Sequence, residues 1–271
     1  MKVAVVGASG FVGRHVLAQL QQRQVETVAT ATAQRAANAS GLRWTVLDLH
    51  RPPDDPMVAL GLPDVVIHLA WVGLPNYQST HHLETELPAQ LAFLSSLVDA
   101  GLPSLVVAGT CFEYGFQYGP LAAEMPTRPA NPYAIAKDTL RLRLQELQLR
   151  KAFNLSWARL FYMYGEGQPD GSLYSSLKRA VAQGKTVFPM SLGEQLRDYL
   201  PVEMVASRLT DLALNPNDRG PINVCAGAPI SVRRLVETWV KQNYWQIELG
   251  LGLCPYAAHE SLAFWGVESL R

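Results

Sequence analysis

Short apolar runs and helix-period stretches alternate along most of this chain. Strand-like runs rich in Val, Leu, Ile and Ala fall at 2–6, 25–30, 43–47, 64–69, 104–108, 154–160 and 221–225. Between them, apolar residues recur at three- and four-residue intervals near 11–22, 80–100, 132–150 and 202–214, the first segment carrying Val12, Val16, Leu17 and Leu20 on one face. Strands separated by helix-length amphipathic segments pair in parallel through right-handed crossovers, so the pattern predicts an α/β fold built on a doubly wound parallel sheet. Pro52-Pro53-Asp54-Asp55-Pro56 and the stretch from Gly115 to Pro132 read as loops. Past about Phe161 the alternation decays. The main sheet domain is therefore assigned to residues 1–160 and 198–225, and a smaller lobe to 161–197 and 226–271.

With 271 residues, 48% of them hydrophobic, the chain has enough apolar material for one large core and a small second one. Lys+Arg and Asp+Glu both number 23, so no net field draws it to nucleic acid or to a membrane surface. No run approaches the roughly 20 apolar residues of a membrane-spanning helix. Near the start, Gly7, Gly10 and Gly13 break the stretch that could mimic a leader peptide. Cys111, Cys225 and Cys254 are odd in number and far apart, which points to a reducing cytoplasm, with neither a disulfide framework nor a structural metal.

The strand at 2–6 runs straight into Gly7-Ala8-Ser9-Gly10-Phe11-Val12-Gly13 and then a helix. Glycines there allow a tight turn and close backbone approach, and the helix start offers unpaired N–H donors, so strand, turn and helix come in the order a dinucleotide pyrophosphate requires. A second motif is Tyr133-Ala-Ile-Ala-Lys137. Asn131 reads as an N-cap and Pro132 as the first helical position, which puts Tyr133 in the first turn and Lys137 one turn later on the same face. A nearby ammonium lowers a phenol from its pKa of about 10 toward neutrality, where it exchanges a proton with a carbonyl or alcohol. The end of the second strand, Val28-Ala-Thr30-Ala-Thr32-Ala-Gln34-Arg35, has no acid to bind ribose hydroxyls. Thr30, Thr32 and Arg35 are instead placed to receive a 2′-phosphate, which favours NADP(H) and leaves NAD(H) as the alternative.

With these two motifs in one chain, the sequence resembles the extended branch of the short-chain dehydrogenase/reductase superfamily, which contains nucleotide-sugar epimerases, dehydratases and reductases. The resemblance runs on through Val65-Val-Ile-His68-Leu69-Ala70, Gly109-Thr110-Cys-Phe112-Glu113-Tyr114-Gly115, Phe161-Tyr162-Met-Tyr164-Gly165, Arg197-Asp198-Tyr199 and Pro221-Ile-Asn223. It implies a catalytic triad of Thr110, Tyr133 and Lys137. Tyr133 exchanges the proton, Thr110 hydrogen-bonds the reacting oxygen, and Lys137 also holds the nicotinamide ribose. Implied cofactor contacts are Gly7, Ser9, Gly10, Phe11, Val12 and Gly13 at the pyrophosphate, Asp48 and Leu49 at the adenine, Leu69, Ala70 and Trp71 at the end of the fourth strand, and Phe161 beside the nicotinamide. Phe112, Glu113, Tyr162 and Arg197 join Thr110 as implied substrate contacts, Arg197 on the nucleotide pyrophosphate.

Residues 255–266 resemble the ending of bacterial deoxysugar 4-ketoreductases. Two positions depart from the family: Glu86 stands where an asparagine is common, and Ala257-Ala258 where many members carry a substrate-binding arginine. The implied activity is NAD(P)H-dependent reduction of the 4-keto group of a nucleoside-diphosphate 6-deoxyhexose, on dTDP or GDP. A nucleotide-sugar 4-epimerase with tightly held NAD and a non-enzymatic NADP-binding sensor are the alternatives. The resemblance also implies a homodimer joined through the helices at 80–100 and 132–150.

Overall fold

The computed structural model describes residues 1–33, 42–256 and 261–268. Seven strands form its centre: β1 (Lys2–Val6), β2 (Glu26–Ala31), β3 (Arg43–Val46), β4 (Val65–His68), β5 (Ser104–Thr110), β6 (Asn154–Leu160) and β7 (Gly220–Val224). They lie in the order β7-β6-β5-β4-β1-β2-β3, every pair parallel. Each strand expected from the apolar runs is present within two residues of its assigned bounds. β4 and β5 are buried along their whole length, as central strands covered on both faces must be. The strand order reverses beside β1, between β4 and β2, which opens a crevice at the carboxyl ends where ligands of such sheets bind.

Helices cover both faces. α1 (Phe11–Gln22) and α5 (Val202–Leu214) bury Val16, Leu17, Leu20, Val205 and Leu209 against one face. On the other, α2 (Leu87–Asp99) and α3 (Pro132–Gln148) bury Phe93, Leu94, Leu97, Leu140 and Leu144. The helix expected over 80–100 comes in two parts, a wide π-type turn at His82–Glu86 leading into α2. Pro88 has no N–H to bond one turn back, and the wider turn absorbs the missing bond.

A third core, built on Leu177, Phe188, Met190, Leu235, Val236 and Trp239, gathers α4 (Leu173–Ala182), α6 (Val232–Gln242) and the short strand Val187–Met190. These two helices occupy the region where the sequence alternation decays. The strand Phe264–Gly266 pairs in parallel with Gly119–Leu121, just past the loop that follows β5. No described helix is long and apolar enough to cross a membrane.

Candidate active site

After β1 the chain turns at Gly7 with φ of 85°. A Cβ on Gly7 would stand 2.7 Å from the Ala70 nitrogen and one on Gly13 2.3 Å from the Gly7 oxygen, so only glycine lets the turn, α1 and the end of β4 meet this closely. Gly10 caps α1 without a side-chain hydrogen bond, and the first-turn N–H groups have no partner inside the helix, which leaves them as donors for an anion. The cleft in front of this turn runs from Gly7 and Ser9 past Thr32 to Asp48 and Leu49, and touches Ala70 and Glu86. A glycine cradle, a bare helix start and an apolar slot in series fit a dinucleotide.

Individual residues depart from expectation here. Thr30 is 2% exposed where it lines the cleft, and its hydroxyl accepts the Gly7 N–H at 3.2 Å, so it braces the turn. Thr32 is exposed at the cleft. Asp48 lines the cleft while its Oδ1 accepts the His50 N–H at 3.0 Å, capping a turn. The Phe11 ring meets His15 edge-on, Val12 and Leu69 pack against the α1–α5 core, and the Leu69 N–H donates to the Val6 carbonyl at 2.8 Å. Arg35 and the Ala257-Ala258 position lie outside the described residues.

The catalytic candidates converge at the carboxyl end of β5. β5 ends on Thr110, and α3 carries Tyr133 and Lys137. Asn131 Oδ1 accepts the Ala134 N–H at 2.9 Å with Pro132 first in the helix, so the cap read from sequence sets the phase of α3. The Thr110 side chain hydrogen-bonds the Tyr133 phenol. Lys137 is 2% exposed; its Nζ donates to the Ala108 carbonyl at 2.8 Å and rests 4.0 Å from the centre of the Trp71 ring. Trp71 in turn meets the Tyr133 ring edge-on at 5.8 Å.

The electrostatics reverse the expectation for the phenol. Burial pushes Tyr133 above its ordinary value, Tyr77, Glu113 and Cys111 add to the rise, and the hydrogen bond from Thr110 opposes it. Burial also pulls the Lys137 amine down to about 7, against the attraction of Glu113 and Glu86. Desolvation therefore outweighs a lysine whose own charge it weakens. A phenol held protonated at neutral pH is in the state a proton donor needs.

Glu113 does not reach substrate. It is fully buried, and it forms a capping box with Thr110: Glu113 Oε1 accepts the Thr110 N–H at 2.8 Å while the Thr110 hydroxyl accepts the Phe112 N–H at 3.3 Å. The same carboxylate accepts Trp157 Nε1 at 3.0 Å and Arg159 Nε at 2.7 Å. Arg159 continues to the Tyr114 hydroxyl and the Ala123 carbonyl, and Tyr114 donates to Asn223. Burial pushes the Glu113 carboxyl up and the Arg159 guanidinium opposes it. The residue assigned to substrate thus braces the catalytic loop from inside. The Phe161 ring, 3% exposed, packs between Tyr114 and Phe264.

A second cavity, of about 270 Å³, is lined in part by Tyr162, Gln195, Arg197 and Tyr199. The Arg197 guanidinium lies 4.8 Å from the Phe264 ring centre and donates to the Leu196 and Leu262 carbonyls. Its neighbour Asp198 instead accepts the N–H groups of Ala226, Gly227 and Gly266. Between this cavity and Tyr133, the rings of Tyr162, Phe112, Tyr77 and Tyr133 follow one another at 6.2, 5.1 and 5.4 Å.

Tyr77 and His82 escaped the sequence reading. The Tyr77 carbonyl accepts the Tyr133 N–H at 3.2 Å. His82 Nδ1 accepts the Trp71 indole N–H at 3.1 Å and its Nε2 contacts the Asn76 carbonyl at 2.8 Å, which fixes the ring proton on Nε2. The available signal was the density of Trp71, Tyr77, His81 and His82 directly after a buried strand.

Comparison with known proteins agrees with this geometry. The sequence matches the profile of the NAD dependent epimerase/dehydratase family over residues 3–225. It is 27% identical over 272 residues to dTDP-6-deoxy-L-talose 4-dehydrogenase (NAD(+)) of Aggregatibacter actinomycetemcomitans, covering 99% of this chain and 100% of that one. It is 29% identical over 260 residues to GDP-6-deoxy-D-mannose reductase of Pseudomonas aeruginosa, covering 87% of this chain and 78% of the relative. Among solved structures, MoeE5 in complex with UDP-glucose and NAD aligns with a TM-score of 0.80 at 25% identity, over 98% of this chain and 89% of that one. A family match across most of the sequence, on a sheet with its glycine turn and its Tyr133–Lys137 helix in place, means that this chain belongs to the NAD dependent epimerase/dehydratase family.

Proposed function

We propose that this protein is an NAD(P)H-dependent reductase that converts the 4-keto group of a nucleoside-diphosphate 6-deoxyhexose, carried on dTDP or GDP, to an alcohol. The observation that carries the proposal is the meeting of Thr110, Tyr133 and Lys137 at the end of β5, supported by relatives named for dehydrogenation or reduction of such sugars. When bound, the nicotinamide supplies the hydride taken up by the carbonyl carbon, which no protein side chain can provide. Tyr133 gives its proton to the carbonyl oxygen, and Thr110 holds that oxygen by a hydrogen bond. Lys137, fixed on the Ala108 carbonyl, faces the ribose hydroxyls.

Arg197 and the second cavity take the substrate pyrophosphate and base, and Phe112 and Tyr162 face the sugar between them. Thr32 and the lack of an acid at the end of β2 favour NADP(H), with NAD(H) the alternative. Residues 1–160 and 198–225 serve as the dinucleotide-binding domain and 161–197 and 226–271 as the substrate lobe. Ile135 and Leu142, exposed on α3, support pairing of α2 and α3 with a second copy in a cytoplasmic homodimer.

The test is a panel of dTDP- and GDP-4-keto-6-deoxyhexoses with NADPH or NADH, followed by loss of reduced-nicotinamide absorbance. Tyr133→Phe is expected to slow turnover by about 10²–10⁴-fold, the usual contribution of a positioned acid, without changing the melting curve. No turnover on any of them, in a protein that purifies with NAD bound one-to-one, refutes the reductase and favours the epimerase.

A further inference from the structure

We propose that Glu86 sets how tightly the dinucleotide is held: its buried carboxylate puts a negative charge into the cofactor cleft and keeps the carrier exchangeable. The proposal rests on the reductase reading above, because a reductase must trade oxidised for reduced carrier at every turnover. An enzyme that returns the hydride to the same substrate has no such need.

Glu86 ends the π-type turn His82–Glu86 and is fully buried. Its Oε2 accepts the Val72 N–H and Gln90 Nε2, both at 3.1 Å, so the side chain cannot swing away. Oε1 is buried and makes no hydrogen bond. His50 Nε2 and His81 Nε2 stand 2.8 and 3.3 Å from it, within ion-pair range but not aligned as hydrogen bonds.

The cleft that Glu86 lines is the one that begins at Gly7 and Ser9. Its described lining includes a second carboxylate, Asp48, and neither lysine nor arginine. A pyrophosphate seated on the glycine turn therefore meets fixed negative charge, which His50 and His81 offset only when protonated. Bracing alone does not require that charge. A glutamine oxygen can accept the Val72 N–H equally well.

Glu86→Gln keeps the shape and the acceptor and removes the charge. Dissociation constants for NADH and NADPH are measured without sugar, by fluorescence titration at about pH 8, where imidazoles are ordinarily neutral. Glu86 also supports the Lys137 charge, so carrier binding is read at this pH, above the Lys137 value of about 7, where that amine is mostly neutral with or without the Glu86 charge. The expected result is roughly tenfold or greater tightening for Glu86→Gln, the scale of one like charge removed from a partly desolvated site. Unchanged or weaker binding overturns the proposal, weaker binding by making Glu86 a hydroxyl acceptor for the carrier. Should Glu86→Gln fail to fold, Glu86→Asn serves with the same expected direction. One-to-one retention of NAD by the unaltered protein refutes the reductase reading separately, while the ratio of dissociation constants still decides the role of Glu86.

Discussion

Glu113→Ala probes the catalytic loop where it is most exactingly braced. The carboxylate and the Arg159 guanidinium are 0% and 2% exposed at 2.7 Å, so truncating the acid strands a buried cation. Breaking a buried pair in this way costs about 3–5 kcal/mol. The Trp157 and Thr110 N–H groups lose the same acceptor, at about 1–3 kcal/mol for each unmet donor. Such losses do not add fully, so about 3–5 kcal/mol is taken as the floor. At about 2–4 °C per kcal/mol for a chain of this size, the melting temperature falls by roughly 6–20 °C. Urea unfolding measures the free energy directly. Glu113→Gln and Arg159→Met, alone and together, then close a cycle in which the pair costs less than the sum of its members by about 1–3 kcal/mol, because no orphaned charge remains. A loss under about 1 kcal/mol for Glu113→Ala, or strict additivity in the cycle, refutes the claim that this carboxylate holds the loop.

Lys137 links pH to stability with a definite sign. Its amine titrates near 7 folded and 10.5 unfolded, so between those values the unfolded chain carries the extra proton and raising the pH favours the fold. The unfolding free energy of the unliganded protein, compared with Lys137→Met, should rise across that window in urea titrations; a flat or falling difference refutes the depressed amine. Arg197→Ala should raise KM for the nucleotide sugar about tenfold or more, as loss of a charge-assisted phosphate contact does, with a smaller effect on kcat. An unchanged KM with reduced kcat would remove Arg197 from substrate binding.

The sheet was legible because its strands are short apolar runs between turn residues, and central strands such as β4 and β5 tolerate little else. The geometry of Tyr133 and Lys137 was legible because Asn131 and Pro132 fix the phase of α3 locally. Glu113 was not, since its role depends on Trp157 and Arg159, which β6 brings to it from far along the chain. The direction of the Tyr133 shift was hidden for a related reason: spacing shows the neighbouring cation, while desolvation is a property of the packed interior. Tyr77 and His82 sit in a segment with no period to reveal which side faces the site. α4 and α6 pack on a small core of their own, where helices are no longer interleaved with strands of the main sheet.

The strand Phe264–Gly266 bears on the order in which the protein acquires its properties. It pairs with Gly119–Leu121, while Asn223 ties the Leu121 and Val267 carbonyls together and Asp198 accepts the Gly266 N–H. A chain leaving the ribosome N-terminus first can assemble β1 to β6 as they emerge, but these contacts must wait for residues synthesised long afterwards. The glycine turn meets the end of β4 through residues 7–13 and 69–70 alone, whereas the segment following Thr110 lacks its partner strand until Phe264–Gly266 is made. Completion of the segment behind Thr110 therefore waits on residues 264–267, while the contact of the glycine turn with β4 does not.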